Sequence, residues 1–158
     1  MTEVTAAALA THPFLHGMSG PHLAILAQAA SDVVFPARHR LFEDGGHASH
    51  CWLIQSGYVG LDLNVPGQGR AKIETIGIGE LLGWSWLYPP FTWAFGAVTI
   101  SPVEAFELDG RAVRTSCAAD PEFGYELIRR LTRVIANRLQ ATRIRLISAS
   151  AASARAGG

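Results

Sequence analysis

A chain of 158 residues, 49% hydrophobic and 16% charged, has the size of one domain and enough apolar side chains to bury a core, which argues against a large enzyme architecture and against a disordered chain. Its 13 basic and 13 acidic residues cancel, which argues against a general binder of nucleic acid or anionic membrane. The balance is uneven: residues 1–110 carry four basic side chains against ten acidic ones, and residues 111–158 carry nine arginines against Asp120, Glu122 and Glu126.

The N-terminus, Met1-Thr2-Glu3-Val4, has no basic region ahead of an apolar run, and no stretch reaches the ~18 apolar residues of a membrane span, so no membrane association is expected. Two cysteines, Cys51 and Cys117, are too few for a disulfide framework or a four-ligand cluster, and a reduced, cytoplasmic protein is expected. Residues 6–10 and 21–30 read as helices, the second started by Ser19-Gly20-Pro21. From Val33, β-rich runs at 33–35, 51–54, 58–63, 72–76 and 97–100 alternate with Pro36, Gly45-Gly46, Ser56-Gly57, Pro66-Gly67 and Gly77, the pattern of a sandwich or roll. After Asp109-Gly110 the chain turns helical again, and Pro121-Glu122 opens a long helix to about Ser148, beyond which residues 149–158 read as a flexible tail.

On a wheel of ~100° per residue, Leu127, Ile128, Leu131, Val134, Ile135, Leu139, Ala141, Thr142 and Leu146 of that helix share an arc of roughly 160°, wider than a coiled-coil seam. The arc either covers the protein's own strands alone or packs in part on a second copy, with Ile128, Leu131, Ile135, Leu139 and Leu146 as the homodimer interface. Arg138 and Arg145 lie in the same arc and mark where it meets solvent or something anionic. The other arginines of the C-terminal third read as a solvated helix face, or as a contact to phosphate or to an acidic partner.

Several motifs then stand in order: His12-Pro13-Phe14-Leu15 with Leu23 and Leu26, Phe35-Pro36, Leu41-Phe42-Glu43-Asp44-Gly45, Trp52-Leu53-Ile54-Gln55-Ser56-Gly57-Tyr58-Val59, Ile76-Gly77-Ile78-Gly79-Glu80-Leu81-Leu82-Gly83 and Asn137-Arg138-Leu139-Gln140-Ala141-Thr142. Over residues 12 to 146 the chain resembles the cyclic-nucleotide-binding domain, the sensor domain of the catabolite-activator and Fnr superfamily. The resemblance implies an α+β, mainly β fold. In one domain over residues 1–148, N-terminal helices and a β-roll or jelly-roll of short antiparallel strands at 12–110 would be followed by C-terminal helices at 111–148 that close over a cyclic nucleotide and pair with a second copy. In most activators of this superfamily a helix-turn-helix domain follows; here the chain stops, and no sequence-specific DNA binding is expected.

In the family, the phosphate-binding cassette follows the glycine matching Gly83 with a glutamate for the ribose and, about ten residues on, an arginine for the cyclic phosphate. Trp84 and Trp93 stand at those positions, and no lysine, arginine or histidine occurs from Ile73 to Gly110. A bidentate guanidinium–phosphate contact is therefore missing, no cofactor is expected, and cyclic AMP and cyclic GMP are disfavoured. The cassette carries instead Trp84, Trp86, Tyr88, Phe91, Trp93 and Phe95, six of the chain's fourteen aromatic residues. They either form a stacking box, with Ser85 and Thr142 as polar handles, or fill the vacated pocket. Pro89 and Pro90 remove two backbone donors from the cassette. Arg138 and Arg143, flanking Thr142, are the remaining cationic route to a phosphate. Candidate ligand-site residues are thus Gly83, Trp84, Ser85, Trp86, Trp93, Arg138, Thr142 and Arg143.

Other patterns carry less. Gly77-x-Gly79-x-x-x-Gly83 misplaces the third glycine of a dinucleotide fingerprint, and His47-x-x-His50-Cys51 lacks a fourth metal ligand, so no metal is expected. No nucleophile–base–orienter set is evident, which makes an enzyme the least expected class. The reading is a non-enzymatic regulatory sensor domain that acts by binding a partner or an unidentified small molecule. Its rivals are a cyclic-nucleotide receptor signalling to a separate effector and a transcriptional regulator lacking its own DNA-binding domain. The cassette Leu82-Gly83-Trp84-Ser85-Trp86-Leu87 also resembles divergent members that accompany redox enzymes such as hydrogenases, which implies an effector of that kind.

Overall fold

Side-chain caps start most of the helices in the computed structural model, which describes residues 2–157. Thr5 Oγ1 accepts from Ala8 N at 3.1 Å to open α1 (Ala6–Ala10), and His12 Nδ1 accepts from Phe14 N at 3.2 Å to open a 3₁₀ turn, Pro13–Leu15. Helix α2 (Gly20–Gln28) has Pro21 in its first turn. Asp109 and Asp120 each accept from a backbone N–H at 3.1 Å to cap α3 (Gly110–Ala119) and α4 (Pro121–Ala156). The other nitrogen of His12, Nε2, donates to Ile54 O at 2.9 Å and ties the N-terminal segment to the roll. Burial pushes this imidazole below its ordinary range despite that hydrogen bond, so it is neutral and can donate from one nitrogen while accepting at the other.

Two antiparallel sheets make the jelly-roll. The first has the order β1 (Thr2–Glu3), β2 (Ala30–Phe35), β9 (Val103–Asp109), β4 (His50–Ser56) and β7 (Leu81–Leu82); the second has β3 (Arg40–Phe42), β8 (Gly96–Thr99), β5 (Val59–Val65) and β6 (Gly69–Ile76). Leu53, Ile54, Val59, Leu61, Ile76, Ala97 and Phe106 belong to one shared core, joined from the helices by Leu9, Leu26, Phe123 and Leu127. No helix among the described residues is long and apolar enough to cross a membrane.

The structure departs from the sequence reading in four places. Strands β1, β3, β7 and β9 are additional to the five expected, and β9 is the centre of the larger sheet, pairing with β2 and β4. Residues 1–31 therefore hold strand as well as helices and turns. Helix α4 does not stop near Ser148 but runs to Ala156, because Ala149, Ala151, Ala152 and Ala154 are strong helix formers. Leu131 is not available to a dimer interface: it is buried in the core of its own chain beside Phe123, Gly124 and Leu127. Packing on the roll takes one edge of the broad arc, while Ile135 is half-buried and Ile128, Leu139 and Leu146 stay exposed.

Beyond Leu131 no described residue of α4 is fully buried. Three arginines hold the helix against the body through backbone carbonyls. Arg130 Nη1 donates to Phe14 O at 2.9 Å, Arg138 Nη2 to Leu81 O, and Arg145 Nη1 to Ile73 O at 3.2 Å.

Candidate functional site

The cassette joins β7 to β8 and begins at Gly83, whose φ of +94° is a conformation that favours glycine. The aromatic residues flagged in the sequence divide into three groups. Trp86 turns inward and is buried, its Nε1 donating to Gly83 O at 3.0 Å. Trp93 is 3% exposed and lies flat on Phe42, with centroids 3.8 Å apart and planes 14° from parallel; Trp52 continues the stack at 6.2 Å. The backbone of Trp93 is held as well, since its N–H donates to Gly46 O at 2.9 Å and its carbonyl accepts from Gly45 N at 2.8 Å. Trp84 stands half-buried at the seam with α4, edge-on to Phe95 at 5.9 Å. Tyr88, Pro89 and Pro90 point to solvent, and Phe91 lies under the Arg114 guanidinium at 4.3 Å.

Of the polar candidates, Arg138 alone is drawn into the site. Its guanidinium sits 4.9 Å over the Trp84 ring, and burial lowers its pKa, opposed by the charges of Glu74 and Glu80. Thr142 is turned along the helix, donating to Arg138 O at 2.8 Å and accepting from Arg145 Nη2 at 3.2 Å. Ser85 is half-buried and Arg143 exposed, and neither side chain makes a hydrogen bond among the described residues. His47, His50 and Cys51 are not gathered into a metal site: no group of three or more His, Cys, Asp or Glu among the described residues is placed to hold an ion. His50 Nδ1 pairs with Ser49 Oγ at 2.7 Å, and burial, with the nearby Glu107 charge, pushes the Cys51 thiol pKa far up.

Sequence reasoning missed the partners of the indoles. Phe42 comes from β3 and Trp52 from β4, where Trp52 Nε1 also donates to Glu107 Oε2 at 2.8 Å across to β9. Both residues stood in quoted motifs, but their meeting with Trp93 depends on how the two sheets close. Arg114 was also missed; its Nη1 donates to Trp86 O at 2.5 Å and fixes the cassette from α3.

Solved structures share this fold. A cyclic nucleotide-binding domain from Methylobacillus flagellatus superposes with a TM-score of 0.75 at 20% identity, over 82% of this chain and 73% of that one. The catabolite activator protein of Thermus thermophilus gives 0.68 at 22% identity, over 87% and 63%. The chain has the cyclic-nucleotide-binding domain fold.

By sequence, this cyclic-nucleotide-binding-type domain is 30% identical over 135 residues to a CRP-like cAMP-activated global transcriptional regulator of two Mycobacterium tuberculosis strains. The match covers 85% of the chain and 58% of the regulator, so the chain spans somewhat more than half the length of that relative. No family model matches it. Between Ile73 and Gly110 the only charged side chains are carboxylates, and Trp93 sits in an aromatic stack.

Proposed function

We propose that this is a non-enzymatic regulatory domain whose phosphate-binding cassette is degenerate, closed by Trp93 in place of an anion-binding arginine. It acts through a partner protein or a small ligand other than a cyclic nucleotide. The carrying observation is the Trp93–Phe42 stack at 3.8 Å, which occupies cassette space with buried indole carbon. A cyclic phosphate brought there would meet apolar surface without a countercharge, and desolvating such an anion is unfavourable. The deciding titration adds cyclic AMP or cyclic GMP to the protein at ~100 µM ligand; Kd lies well above that concentration, so no heat of binding and little tryptophan quenching are expected. Saturation at low micromolar ligand overturns the reading in favour of a receptor.

One observation favours that second reading. Arg138 lies beside Trp84 with Nη1 buried and unbonded, a cation at the mouth of the cassette. If either nucleotide saturates, Arg138→Gln and Arg143→Gln separate the two helix arginines as its phosphate partner.

A further inference from the structure

Outside the roll, a groove of about 410 Å³ runs between the 3₁₀ turn and α4. We propose that it is a binding site for a small molecule carrying a chain of phosphoryl groups. The groove lies outside the roll interior but shares Arg138 with the mouth of the cassette, so Arg133, which the cassette does not use, is the residue that tells the two sites apart.

The groove floor is apolar, built from Pro13, Phe14, Leu81 and Val134; its rim carries the guanidiniums of Arg130, Arg133 and Arg138 from α4, with the His16 imidazole beside them at the end of the turn. Relative to Arg130, helical geometry at ~100° per residue puts Arg133 at about −60° and Arg138 at about +80°, so the three guanidiniums share one side of the helix. Two of them have unused donors. Arg130 spends Nη1 on Phe14 O and Nη2 on Glu126 and leaves Nε; Arg138 spends Nη2 on Leu81 O and leaves Nη1. Among the described residues these are the two buried side-chain polar atoms without a hydrogen-bond partner, and both residues line this one groove. The third arginine, Arg133, is exposed and makes no hydrogen bond or salt bridge among the described residues. The lining contains a single carboxylate, Glu80, whose Oε2 already accepts from Gly77 N at 2.5 Å. Positive charge therefore exceeds negative, and the unused donors belong to the charged groups.

Size and spacing select the ligand class. Arg130 and Arg138 are eight residues apart, so their Cα atoms stand about 12 Å apart along the axis, and with Arg133 between them the cations are strung along the groove and not gathered at one point. A chain of two or three phosphoryl groups presents acceptors over such a length, and guanidinium forks match phosphoryl oxygens geometrically. The volume lies within the range of small-molecule pockets, and Phe14 with Pro13 offers an apolar wall for a ring attached to the phosphates.

Sodium tripolyphosphate is the first probe, titrated calorimetrically into the whole chain at ~20 mM salt, where surface charges are weakly screened. Saturable one-to-one binding is expected, with a rise in the thermal midpoint as ligand is added. Arg133→Glu, at an exposed position whose change leaves the fold intact, should weaken binding at least ~tenfold, Arg133→Lys should recover part of it, and Arg155→Glu, outside the groove, should leave it unchanged. Repeating the titration with ATP separates sources: tighter binding than tripolyphosphate assigns the apolar wall to a base, and equal binding assigns the site to the phosphate chain alone. Absence of saturation up to ~1 mM tripolyphosphate overturns the proposal, as does a loss caused equally by Arg155→Glu and Arg133→Glu, which would signal diffuse attraction to the arginine-rich helix.

Discussion

Gly83 and Trp93 are shaped to one another: a Cβ built on Gly83 would stand 2.8 Å from the far edge of the Trp93 indole, which is inside any allowed contact. The missing side chain at Gly83 is what lets the indole come this close.

Replacing Gly83 with alanine therefore combines a positive φ with a steric clash against a buried ring, and a stability loss of about 2 kcal/mol or more is expected. Urea unfolding measures it. Trp93→Phe removes the clashing edge, so the double variant should lose less than the sum of the two single variants. Strict additivity would show that the two residues do not constrain each other.

If Trp93 is what closes the cassette, Trp84→Glu with Trp93→Arg should convert the domain into one that binds cyclic AMP measurably, at a cost in stability of a few kcal/mol from the lost aromatic packing and the new charges (~3–5 kcal/mol for Trp→Ala in a core). Calorimetry and a thermal melt on the same variant report the two effects. A folded double variant that shows no heat with cyclic AMP would mean that the pocket needs more than its two anchors.

Asp62 provides a pH signature. Arg40 donates to both of its oxygens at 2.8 Å and Arg70 lies 3.6 Å away, and chiefly through the Arg40 hydrogen bonds the carboxyl is held below its ordinary 3.8. A carboxyl depressed in the folded state stabilises the fold at pH values above its unfolded pKa, and the contribution disappears as pH falls through the folded value. Asp62→Asn should thus cost about 1–3 kcal/mol at pH 7 and progressively less below about pH 4. Denaturant midpoints of both proteins across that range check the convergence; a constant difference would locate the effect in packing.

The exposed side of α4 carries Leu139 at 51% and Leu146 at 66% exposure, together with Ile144 and Ile147. A parallel homodimer through this surface is expected, and Leu139→Glu should shift sedimentation toward the monomer. A wild-type chain that is monomeric at ~100 µM would leave that apolar strip to another partner.

How much of this was legible depended on range. The alternation of turn residues with short apolar runs announced a roll, and the caps at Ser19-Gly20-Pro21 and Pro121 marked where helices begin. Strand β9 does not stand out in the sequence because its burial follows no clean period of two: Val103, Ala105, Phe106 and Leu108 are all buried, and the interleaved Glu104 and Glu107 lower its β-propensity. The crowded aromatic cassette was visible by composition, yet which indole is buried depends on Phe42 and Trp52, some fifty and forty residues upstream, and on the closure of two sheets. The arc of α4 was correctly drawn as a set of residues, but a wheel does not say how far along the helix its own core reaches. Full burial ends at Leu131, and Val134 and Ile135 beyond it are only half-buried.

The arginine–carbonyl contacts of α4 have a mechanical meaning. A carbonyl oxygen is offered by every residue type, so Phe14, Leu81 and Ile73 can each be exchanged without deleting the acceptor that Arg130, Arg138 or Arg145 uses. Beyond the core packing of Phe123, Leu127 and Leu131, these three contacts follow the position of the main chain and not the identity of the residue that offers the carbonyl. The helix is therefore tied to the main chain at Ile73 of β6 and Leu81 of β7, and that tie would survive as the sequence of those strands drifts.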